Sequence, residues 1–87
     1  MTVYMVERNL AGIDMASLGA AQKAAIAEAE AMRGKGVEIA CLKSVFAPET
    51  GRCMCLFEAK DAEDVRALNV NAGLPMTGIT PAMELPP

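Results

Sequence analysis

Val37-Glu38-Ile39-Ala40-Cys41-Leu42-Lys43-Ser44-Val45-Phe46-Ala47, then Pro48-Glu49-Thr50-Gly51, then Arg52-Cys53-Met54-Cys55-Leu56-Phe57-Glu58-Ala59, is the stretch that decides the fold. Two runs rich in β-branched and aromatic residues flank four turn residues, so residues 37–47 and 52–59 read as strands of a hairpin. Proline fixes φ early in the turn and glycine supplies a positive φ at its end. Closing the turn places Ala47 opposite Arg52. Pairing then runs Phe46–Cys53, Val45–Met54, Ser44–Cys55, Lys43–Leu56, Leu42–Phe57 and Cys41–Glu58. Alternation puts Leu42, Phe46, Cys53, Cys55 and Phe57 on one face, with Ser44 as the polar exception. Ile39, Cys41, Val45, Met54 and Leu56 fall on the other, together with Lys43 and Glu58. Both faces are largely apolar.

Working outward, Thr2-Val3-Tyr4-Met5-Val6-Glu7-Arg8 reads as a first strand, broken by Asn9-Leu10-Ala11-Gly12. Residues 16–33 are rich in good helix formers, with Leu18, Gln22, Ala25, Ala29 and Met32 in one stripe at helical spacing. Gly34 and Gly36 end this helix. Asp61 caps a second helix, with Asp64 placed as in a capping box, and Val65, Leu68 and Ala72 form its inner stripe. Gly73 and Pro75 stop it, which makes Asn69 and Asn71 fraying or capping groups at its end. A last strand is expected around residues 80–85, confined by Pro81 to an edge or a strand end. The order β-α-β-β-α-β defines an α+β, ferredoxin-like domain spanning residues 1–87. Right-handed crossovers place both helices on one face of a single antiparallel sheet.

Two helices cover one face only. An open antiparallel face is normally polar, and here it would expose a contiguous apolar patch. Pairing of two open faces removes that patch, so the expected assembly is a homodimer, a two-subunit α/β barrel with the open faces inside. Large aromatic side chains do not fill the core, because aromatic residues make up only 3% of the 87.

The net charge of −3 argues against binding nucleic acid or an anionic membrane surface. No apolar run approaches the roughly 20 residues of a membrane span. No basic start of a signal peptide is present, so a cytoplasmic location with Cys41, Cys53 and Cys55 reduced is expected. The absence of histidine removes His-based acid–base chemistry and the commonest metal ligand.

Three groups of residues are candidates for chemistry. Cys53 and Cys55 lie on one strand face, about 6.6–7 Å apart along the strand; this is a poor disulfide spacing but two soft donors for a zinc or nickel ion. Glu58, Lys43 and Cys41 share the other face, where a carboxylate and an amine inside a dimer would suit ligand binding or proton transfer. Glu7, with Arg8, ends the first strand and either lines the mouth of that cavity or is a solvated charge.

Tyr4-Met5-Val6-Glu7-Arg8-Asn9-Leu10-Ala11-Gly12, the hairpin segments Leu42-Lys43-Ser44-Val45-Phe46 and Cys53-Met54-Cys55-Leu56-Phe57-Glu58-Ala59, Asp64-Val65-Arg66, and Asn71-Ala72-Gly73-Leu74-Pro75 follow one another along nearly the whole chain. In that order they resemble the small bacterial nickel-binding, ferredoxin-like proteins, otherwise catalogued as a domain of unknown function. The resemblance implies a dimeric ferredoxin-like fold and nickel as a cofactor or ligand in some members. Cys55 and Glu58 are the matching positions. Leu68 stands where many relatives carry histidine, and Lys43 where some carry His or Gln. The expected function is a small homodimeric protein that binds nickel, another metal ion or a small molecule between its sheets. A cofactor-free monooxygenase or isomerase of the dimeric α/β-barrel kind, and a ligand-free assembly module, are the alternatives.

Overall fold

A computed structural model describes residues 1–87 and contains six elements. They are β1 (Thr2–Asn9), α1 (Met15–Gly34), β2 (Ile39–Ala47), β3 (Arg52–Ala59), α2 (Ala62–Asn71) and β4 (Gly78–Ala82). The strands form one sheet in the order β2-β3-β1-β4 with every pair antiparallel. Pro81 cannot donate to a ladder on both sides, which suits β4 to its place at the edge. β4 thus begins and ends earlier than residues 80–85. No helix is long and apolar enough to cross a membrane.

Both helices pack on one face. Ala25, Ala29 and Met32 of α1 and Val65 and Leu68 of α2 join Tyr4, Val6, Cys53, Cys55, Phe57 and Ala59 in a single core. The alanines keep α1 close to the sheet, as its small-residue stripe requires. Asp14 caps α1, accepting from the Ser17 backbone N–H at 2.7 Å, a cap the sequence reading did not assign. Asp61 caps α2 as expected, accepting from the Asp64 N–H at 3.0 Å. The Asp64 carboxylate does not complete a reciprocal box; it pairs with Lys60 Nζ at 3.1 Å.

The hairpin register holds from Ala47–Arg52 to Lys43–Leu56 and then breaks. A bulge between Cys41 and Lys43 leaves Leu42 without a ladder partner, so Cys41 opposes Phe57 and Ala40 opposes Glu58. Side chains alternate with period two, so one extra residue turns everything before it to the opposite face. Ile39 is consequently buried at 2% exposure in the helix-covered core, while Leu42 is 39% exposed. The expectation that Ile39 and Cys41 share a face with Glu58 is therefore corrected.

Two further expectations change at α2 and β1. Asn69 is fully buried, not frayed, and donates through Nδ2 to the Val65 carbonyl at 2.8 Å. Arg8 is not a solvated charge: it is 5% exposed, on the covered face, and Nη1 donates to the Pro75 carbonyl at 2.9 Å.

Candidate functional site

The sheet divides the candidate residues between its two faces. On the open face, Val3, Met5 and Glu7 of β1 alternate outward from Tyr4, Val6 and Arg8. Met54, Leu56 and Glu58 of β3 do the same beside them. Glu7 is held by Arg52 Nη2 at 3.5 Å, across the β1–β3 pair. Glu58 lies opposite Val3 on one side and Ala40 on the other. Val45 is 58% exposed on the same surface. Beyond β4, the exposed residues Glu84, Leu85 and Pro86 line, with Lys43 and Leu56, an open concavity of about 510 Å³ on this face.

Lys43 and Glu58 do not meet within one chain. The ion pairs are Arg52–Glu7, Lys60–Asp61, Lys60–Asp64 and Arg66–Glu63. The bulge accounts for this, because it inserts Leu42 into β2 between Lys43 and the Ala40 that faces Glu58. Cys41 has left the group entirely, having turned beneath the helices.

On the covered face the thiols gather. Cys53 and Cys55 Sγ atoms stand 3.8 Å apart. The Ser44 hydroxyl lies 3.0 Å from Cys55 Sγ and 3.1 Å from Gln22 Oε1; its one proton serves one acceptor at a time. Gln22 thus finds its partner in the polar exception of the inner face. All three cysteines are free thiols. Burial first, then the neighbouring Cys55, pushes the Cys53 thiol up to about 11. Burial likewise raises Cys41. Both therefore stay protonated at neutral pH and are poor nucleophiles as they stand. Arg8, which sequence reading left at the strand end, lines a small void with Cys53, Cys55 and Gln22. Its register position opposite Cys53 was the available signal, since β1 pairs with β3.

The fold and the two faces define a ferredoxin-like α+β domain with an apolar open sheet. The chain belongs to the SCO4226-like family: the family model, described as nickel responsive protein SCO4226-like, matches residues 4–81. Among solved structures it is similar to SCO4226 from Streptomyces coelicolor A3(2), at a TM-score of 0.78 and 24% identity, covering 97% of this chain and 99% of that one. That likeness establishes the fold. A search of curated proteins returns no match.

Proposed function

We propose that the chain works as a homodimer whose open sheet faces oppose one another across a ligand chamber, with nickel or a similar divalent ion as the first candidate ligand. The observation that carries this is the apolar open face, with Val45 58% exposed and Met5, Met54 and Leu56 beside it. Such a surface is costly to leave in water and is the usual mark of an interface. The family description supports a nickel-linked role.

One chain alone does not fit a nickel ion. No three His, Cys, Asp or Glu side chains lie together in it, and it has no histidine. A second copy doubles Glu7 and Glu58 to four carboxylates around one chamber, with Lys43 at hand for an anionic small molecule. Oxygen donors are harder than imidazole, so nickel should bind more weakly than in histidine-bearing relatives.

Sedimentation and calorimetry test both parts. Wild type should be dimeric at micromolar concentration, and Leu56→Glu should yield folded monomers. Glu58→Gln should lower nickel affinity at least tenfold without changing the oligomer. A monomeric wild type refutes the assembly. Nickel binding indifferent to Glu58→Gln and Glu7→Gln refutes the chamber as its site.

A further inference from the structure

On the covered face, away from the chamber, we propose that Cys53 and Cys55 form a buried site for a soft monovalent d10 cation of the copper(I) kind, charge-balanced by Arg8. The geometry comes first. With metal–sulfur bonds of about 2.3 Å, donors 3.8 Å apart subtend about 110° at a shared ion. Ser44 Oγ, 3.0 Å from Cys55 Sγ, is a hydrogen-bond partner that fixes the position of that sulfur. Gln22 Oε1, 3.1 Å from that hydroxyl, holds it in place. β3 supplies the two sulfurs, and contacts from β2 and α1 hold them in place.

Arg8 is the independent observation. It is 5% exposed, and its Nη2 has no acceptor. No carboxylate pairs with it, although a buried guanidinium is expected to have one. It lines the same void, about 20 Å³ in volume, as Cys53, Cys55 and Gln22. That is room for about one water-sized occupant.

Charge then selects the ion. Uptake breaks two S–H bonds, releases both protons to water and forms two metal–sulfur bonds, and the ion keeps its oxidation state. Two thiolates and a monovalent cation leave one negative charge, which the Arg8 guanidinium balances. A divalent ion would leave the buried site with a net positive charge. Metal-bound thiolate sulfur retains lone pairs to accept from Nη2. Thiolate softness favours copper(I) over nickel in such a pocket. Entry is through a cleft of about 280 Å³ between α1 and β2, with Gln22, Ser44, Phe46 and Cys53 among its walls.

The test is anaerobic titration of the purified protein with copper(I) against a chromophoric copper(I) chelator. Wild type should withdraw one ion per chain. Cys53→Ser combined with Cys55→Ser should abolish this, and Cys41→Ser should not. Arg8→Met should weaken copper(I) binding at least tenfold while leaving cadmium(II) binding undiminished. Should the double variant not fold, alkylation of wild type read by peptide mass spectrometry decides: copper(I) should protect Cys53 and Cys55 selectively over Cys41. Copper(I) uptake that survives the double substitution, or no selective protection, overturns the site. Equal losses for both ions in Arg8→Met overturn the charge assignment. Glu58→Gln should leave copper(I) stoichiometry unchanged, so failure here and failure of the chamber reading are separable.

Discussion

Gly51 ties the hairpin turn to the loop that follows β1. Its φ is +77°, and a Cβ there would overlap the backbone N and Cα of Ala11. Its carbonyl accepts from the Leu10 N–H at 2.7 Å. Gly51→Ala therefore meets two obstacles: a left-handed backbone and a neighbour that is main chain, not a flexible side-chain tip. The conformational part alone should cost about 1–3 kcal/mol, and displacement of the β1–α1 loop should add to it. Urea denaturation should show the midpoint fall accordingly. An unchanged midpoint would mean that the turn and loop are not packed together. The positive φ was legible from a proline-initiated, glycine-terminated turn. The Ala11 contact was not, because it joins segments forty residues apart.

At the scale of elements, the bulge in β2 and the two helix caps make distinct predictions. Deleting Leu42 would close the ladder while leaving Cys41 opposite Phe57 and Ile39 opposite Ala59, so Ile39 should stay in the core. The unfolding free energy should therefore change by less than the about 1.5–3 kcal/mol that exposing one isoleucine would cost. A loss of that size on deletion would show that Ile39 had turned out of the core. The caps act through pH. Backbone N–H groups of Ser17 and Asp64 hold the Asp14 and Asp61 carboxyls below their ordinary 3.8. A depressed folded value stabilises the protein above the unfolded pKa, and that stabilisation is lost as pH falls through the folded one. Replacing both by Asn, which caps without titrating, should make the acid limb of the stability profile shallower below about pH 4. An unaltered acid limb would place the acid sensitivity elsewhere. Asp61 could be assigned from its position before a helical stripe. Asp14 was obscured by the unpatterned run of Ile13 and Met15 around it.

For the whole molecule, the proposed association through the open faces would link stability to concentration. The melting temperature should rise with protein concentration, as mass action requires when only the folded state associates. Leu56→Glu should remove that dependence while the helix signal persists. A concentration-independent melt of wild type would indicate a monomer and leave the open face unexplained.

The sequence alone determined the element order, the single sheet, the α1 stripe, Val65 and Leu68 of the α2 stripe, and the hairpin register from Ala47–Arg52 to Lys43–Leu56. These are local or periodic properties: strand alternation, helical spacing, and proline and glycine at a turn. The same periodicity placed Cys53 and Cys55 side by side on one face and Glu58 on the other. Only the tertiary structure decided that Cys41 belongs with the thiols, that Lys43 and Glu58 do not pair, and that Arg8 and Asn69 are buried. Each depends on non-local packing. A bulge is selected because it buries Ile39 beneath the helices, and Arg8 is enclosed because residues beyond α2 return to accept its hydrogen bond. No pattern within either strand carries that information, since the energy that decides it comes from contacts made only once the chain has closed on itself.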